Sequence, residues 1–165
     1  MEQIGISIKS INNDIFDLLD GKNLEKDLAN LRKSKKISLP QLKKLYEMGV
    51  AFYNAFQLKE AEAIFTSYTF LNPYDHRGPG CLASIYLEQG LFRRALDVLN
   101  VLKTYPHNDL DETMLNIALC HYKLKEFRQA SSLLLIVNVD KLSEFNVRRY
   151  RYLCQQLSPY IKINN

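Results

Sequence analysis

The chain has 165 residues, 47% of them hydrophobic and 24% charged, and carries a formal net charge of +4. This is the composition of a folded globular protein rather than a disordered one, and a single domain of that size buries roughly 70% of its unfolded surface. No apolar run approaches the roughly 18 residues of a membrane-spanning helix; the longest, Leu133 to Val137, is far shorter. Met1-Glu2-Gln3-Ile4 lacks the basic n-region and apolar h-region of a secretory signal, so a cytoplasmic location is expected, without membrane insertion. Cys81, Cys120 and Cys154 are an odd, well-separated set inside apolar helical patterns, which points to reduced, buried thiols in a reducing compartment.

In chain order, Ile4, Ile6 and Ile8 alternate with Gly5 and Ser7 at a strand period with no obvious partner strand. Residues 11 to 31 carry Ile11, Ile15, Phe16, Leu18, Leu19, Leu24, Leu28 and Leu31, which predicts amphipathic helix interrupted at Gly21. This apolar surface exceeds what one end of a helical stack needs, so the segment up to Leu31 is expected to mediate self-association, giving a homodimer. Arg32, Lys33, Lys35, Lys36, Lys43 and Lys44 form a basic stretch. It lacks interleaved aromatics, so a solvated face is expected rather than a nucleic-acid site. Ser38-Leu39-Pro40-Gln41 reads as a capping box with proline in the first helical turn.

From here the sequence repeats itself. Ala61/Phe65, Ala95/Leu99 and Ala130/Leu134 recur at spacings of 34 and then 35 residues. Leu45, Met48, Gly49 and Phe52 precede the first pair, Leu82, Ala83 and Tyr86 the second, and Met114, Ile117, Ala118 and His121 the third. Pro73 and Pro106 close the first two units. That period and those anchor types are the tetratricopeptide pattern, in which small residues let helices approach and bulky ones fill the gaps between neighbouring units. Gly90 stands where the second unit turns from one helix to the next; Phe56 holds that place in the first, so the turn there is made without glycine. Asp109 caps the helix that follows it, and residues 144 to 157, with Val147, Tyr150, Leu153 and Leu157, predict a capping helix. The expected fold is therefore all-α: a tetratricopeptide-repeat solenoid in one domain. An N-terminal arm and helix (1–37) precede three helix-pair repeats (38–143), and a capping helix and tail (144–165) follow.

In such a stack the first helix of each pair lines the concave side. The inward positions not used for packing are Lys43, Tyr46, Val50 and Tyr53 in the first repeat, Arg77, Gly80, Ser84 and Leu87 in the second, and Glu112, Leu115, Leu119 and Tyr122 in the third. A solvent-facing set should be polar; this one is rich in tyrosine and leucine, which marks a binding surface for an extended peptide. A tightly curved solenoid would close its core on one or two of these residues. Enzyme chemistry has little support. On a helix Cys120 and His121 point about 100° apart and form no nucleophile–base pair, and no metal-ligand or phosphate-loop spacing occurs, so neither metal nor cofactor is expected.

The run Leu45-Tyr46-Glu47-Met48-Gly49-Val50-Ala51-Phe52-Tyr53, with Lys59 to Phe65 and Leu71-Asn72-Pro73-Tyr74-Asp75, resembles the class II chaperones of bacterial type III secretion, the LcrH/SycD-like family. The resemblance covers residues 15 to 157 and is most specific at the paired tyrosines and the Tyr74-Asp75 turn. It implies a cytoplasmic bacterial chaperone, often a homodimer, that holds an extended segment of a secreted translocator in its concave groove, with Tyr46 and Tyr53 as groove tyrosines. Arg77-Gly78-Pro79-Gly80 departs from the pattern, since proline confines the helix start to about Gly78, and the departure suits an unusual client such as a gatekeeper-type protein. The alternative is a general tetratricopeptide adaptor unrelated to secretion. A carboxylate-clamp groove would need more basic residues than Lys43 and Arg77.

Overall fold

Ser38 opens the first helix as its sequence context requires. Its hydroxyl accepts from the Gln41 backbone N–H at 3.4 Å, and the Gln41 side chain accepts from the Ser38 N–H at 2.7 Å, with Pro40 in the first turn. The computed structural model describes residues 37–161; the Ile4–Ile8 segment, the amphipathic stretch 11–31, its expected role in self-association and the basic residues Arg32 to Lys36 lie outside them. The described residues are helical: α1 (Leu39–Asn54), α2 (Leu58–Leu71), α3 (Arg77–Glu88), α4 (Phe92–Leu102), α5 (Leu110–Lys123), α6 (Phe127–Leu134) and α7 (Glu144–Leu157), with short 3-10 turns at Val139–Lys141 and Ser158–Tyr160. The chain divides into two compact units, Met1–Gly78 and Pro79–Asn165.

In the first unit α1 packs against α2. Gly49 is the reason they can meet closely: a Cβ there would lie 2.8 Å from Phe65 Cζ and 3.0 Å from Ile64 Cγ2. Leu42, Tyr68 and Leu71 form a buried cluster, flanked by Ile37, Leu45, Tyr46 and Phe70. In the second unit α5 packs against α4, α6 and α7. Its core joins Leu115, Ala118, Ala130, Leu134 and Val137 to Leu153 and Leu157 of the capping helix. The repeat alanines Ala61, Ala95 and Ala130 are fully buried, as close helix approach requires.

The three turns within helix pairs, α1 to α2, α3 to α4 and α5 to α6, use one hydrogen-bond pattern. Gln57 N donates to Phe52 O (2.9 Å), Leu91 N to Tyr86 O (2.8 Å) and Glu126 N to His121 O (2.8 Å). Inside each of these bonds a second runs from Phe56 to Tyr53, Gly90 to Leu87 and Lys125 to Tyr122. This is the Schellman ending, and it places one residue per turn in the left-handed region: Phe56 (φ 60), Gly90 (φ 70) and Lys125 (φ 64). The α3 helix begins at Arg77, one residue ahead of the expected start at Gly78, with Pro79 in its first turn, where the missing N–H has no partner to lose. Asp109 caps α5 by accepting from the Glu112 N–H at 2.9 Å, and Ser143 caps α7.

Candidate functional site

The first-unit part of the predicted groove is one face of α1. Lys43, Tyr46, Val50 and Tyr53 follow helical spacing along it; Lys43 is exposed, and Val50 and both tyrosines are half-buried. Lys43 reaches the Glu47 carboxylate one turn on (3.7 Å). Tyr46 sits against the interior: its ring lies 5.6 Å from that of Phe65, edge-on, and 5.3 Å from that of Tyr68. Arg77 also lies over it, the guanidinium carbon 4.9 Å from the ring centroid.

Arg77 joins this face through Asp75. The Asp75 carboxylate accepts from Arg77 Nη2 (2.6 Å), Arg77 Nε (3.0 and 3.1 Å) and the Arg77 backbone N–H (3.0 Å). It also accepts from the Tyr68 hydroxyl at 2.5 Å and from Asn72 Nδ2 at 3.3 Å. Burial acts to raise the Asp75 pKa, but the Arg77 guanidinium and the Tyr68 hydroxyl outweigh it and hold the carboxyl well below the usual carboxylate range. Burial, then the bond to Asp75, pushes the Tyr68 hydroxyl pKa up. The positive charge on the α1 face is thus matched locally, Lys43 by Glu47 and Arg77 by Asp75.

In the second unit the predicted residues separate. Ser84 and Leu87 are half-buried on α3, and the Ser84 hydroxyl donates back to Gly80 O at 3.1 Å. A Cβ at Gly80 would meet nothing within 4 Å. Leu119 and Tyr122 are partly buried against the second-unit core. Leu115 belongs to that core itself, at 0% exposure among Ala118, Leu134, Leu153 and Leu157, so it packs the unit together and presents nothing to a ligand. Equal counting along each repeat overlooked that α7 packs on α5.

Sequence reasoning also missed the aromatic chain around Tyr122. Its ring lies 6.0 Å from Phe127 and 6.2 Å from Tyr152, and Phe127 lies 5.1 Å from Tyr160. A hydrogen bond with Tyr152, then partial desolvation, pushes the Tyr122 hydroxyl pKa up. Tyr152 and Tyr160 lie in or beyond the capping helix, outside the repeat pattern. Elsewhere, burial pushes the Cys120 thiol to about 12, despite a weaker opposing effect of Arg149, so it is uncharged at neutral pH. His121 Nδ1 is bonded to Glu126 Oε2 (2.6 Å), and Glu126 Oε1 accepts from Arg93 Nη2 (2.6 Å). Among the described residues no group of three or more His, Cys, Asp or Glu side chains is placed to hold a metal ion. None of the described helices is long and apolar enough to cross a membrane.

No protein-family model matches the chain, and no curated protein sequence does. Solved structures do. A chain of a type III secretion complex from Aeromonas hydrophila superposes with a TM-score of 0.66 at 23% identity, over 78% of this chain and 88% of that one. PcrH in complex with the chaperone binding region of PopD gives a TM-score of 0.66 at 21% identity, over 76% and 97% of the two chains. The Yersinia enterocolitica chaperone SycD, in complex with a peptide of the translocator YopD, gives 0.59 at 19% identity over 76% and 92%. The class of fold is therefore the all-helical, tetratricopeptide-like solenoid. More narrowly, it is the fold found in the translocator chaperones of type III secretion.

Proposed function

We propose that this protein is a type III secretion chaperone that binds an extended, largely uncharged segment of a translocator or gatekeeper-type secreted protein and keeps it soluble before export in the bacterial cytoplasm. The observation that carries the reading is the α1 face. Tyr46, Val50 and Tyr53 present half-buried apolar and aromatic surface, while the two cations beside them are already paired with Glu47 and Asp75. Tyrosine offers apolar area with a hydroxyl for a peptide backbone, and low net charge on the face suits an apolar strand of client. The complexes of PcrH with a PopD region and of SycD with a YopD peptide support the same reading through the shared fold. Within the second unit, Ser84, Leu87, Leu119 and Tyr122 are proposed as peptide-contacting residues. Client capture acts by mass action, holding a membrane-active protein away from premature association. No catalytic step is assigned to the protein.

The test is co-expression with translocators and gatekeeper-type proteins encoded near its gene, followed by co-purification. A stable complex that is lost on Tyr46→Ala with Tyr53→Ala, while helicity is kept, supports the reading. Loss of helicity in that double variant would place both tyrosines in the core instead. Failure to hold any such protein, with retention of an unrelated one, would move the function to a general tetratricopeptide adaptor.

A further inference from the structure

Four side chains of the first unit close into a ring of contacts. The Tyr46 ring packs on the Tyr68 ring, the Tyr68 hydroxyl donates to Asp75, Asp75 grips Arg77 through both carboxylate oxygens, and Arg77 lies back over Tyr46. Each link uses a different property of its residue. Tyr68 supplies a buried ring on one side and a hydroxyl on the other, and arginine supplies a planar fork that both pairs with a carboxylate and stacks on an aromatic face.

We propose that Asp75 and Arg77 are positioning residues for Tyr46: the carboxylate holds the guanidinium across the tyrosine ring, which fixes the ring on the α1 face and leaves that stretch of surface receptive to uncharged rather than acidic peptide. The inference rests on the groove reading above. Arg77 is 55% exposed at its side chain and by position looks like a cation waiting for an acidic client, whereas Asp75, at 12%, faces inward. The geometry reverses that impression. All of the Arg77 bonds seen go inward, to Asp75 and to the Tyr68 hydroxyl (3.3 Å), so engaging an acidic client residue would mean breaking a bidentate pair. A ring held in place before the client arrives loses less freedom on binding, which is how a residue that touches no client adds to affinity.

The experiment uses the full chain with isotope-labelled tyrosine and arginine, the Tyr46 ring signals being assigned through Tyr46→Phe. In the wild type, magnetisation transfer between the Arg77 side chain and the Tyr46 ring and slow ring flipping are expected. Asp75→Asn should abolish the transfer and speed the flip while the Tyr46–Tyr68 transfer remains. Arg77→Lys, which keeps the charge but not the plane, should speed the flip equally, and Tyr68→Phe should keep the Arg77–Tyr46 contact because the carboxylate fork survives. A translocator that co-purifies with the wild type should bind Asp75→Asn and Arg77→Lys about three- to tenfold more weakly, the range expected for a partly exposed cation–π contact. Unchanged flipping in Asp75→Asn, or faster flipping with unchanged affinity, overturns the proposal. If the wild type binds no translocator, the groove reading fails, and the flip rates still decide whether Asp75 fixes the ring.

Discussion

Phe56 and Gly90, 34 residues apart, hold the same left-handed backbone conformation, φ 60 and φ 70, at the same point of the same hydrogen-bonded turn. For glycine this conformation is without steric cost; for a residue with a Cβ it costs roughly 1–2 kcal/mol. Phe56 is largely exposed and so recovers little through burial. Phe56→Gly is therefore expected to raise the urea midpoint, by about 1 kcal/mol of stability, and Gly90→Ala to lower it by about as much. Parallel urea unfolding of the two variants checks both signs at once.

Leu115 provides a test of core against groove. Fully buried among the side chains of α5, α6 and α7, it should cost about 2–5 kcal/mol on change to alanine, seen as a lower unfolding midpoint. A variant with an unchanged midpoint and weakened client binding would return Leu115 to the groove.

Asp75 ties stability to pH with a definite sign. Its carboxyl titrates below its unfolded value, so the stabilisation is complete above the unfolded pKa of about 4 and drains away as pH falls toward the folded pKa. Between about pH 4 and pH 2 the wild type should lose stability faster than Asp75→Asn, and the two curves should converge. Thermal melts across that window report the difference directly; parallel curves would remove Asp75 from the account.

The thiols should separate by reactivity. Of the three thiols expected to be buried only Cys120 is, its pKa pushed to about 12, whereas Cys81 and Cys154 are half-buried. An aromatic disulfide reagent at neutral pH should modify Cys81 and Cys154 first and reach Cys120 only in denaturant, with mass spectrometry locating each adduct. Early labelling of Cys120 would mean that α5 opens locally in the native state.

Some of this architecture is written locally in the sequence. Small residues are obligatory where helices cross closely, so Gly49, Ala61, Ala95 and Ala130 announced the helix pairs, and Ser38 and Asp109 announced two helix starts through the N–H groups they satisfy. The turn at Lys125 carried no such signal, because its left-handed conformation is imposed by the helices it joins rather than preferred by lysine.

What the sequence by itself determined was the helix-pair repeat, its register and the aromatic character of the α1 face, since these follow from residue size and helical spacing alone. Only the tertiary structure decided that Leu115 is core, because that depends on Leu153 and Leu157 arriving from a helix outside the repeat pattern. It likewise decided that Arg77 is occupied. The charge of a side chain is local, but its availability depends on what the fold places beside it, and here the fold sets the Asp75 carboxylate and the Tyr68 hydroxyl within hydrogen-bonding reach.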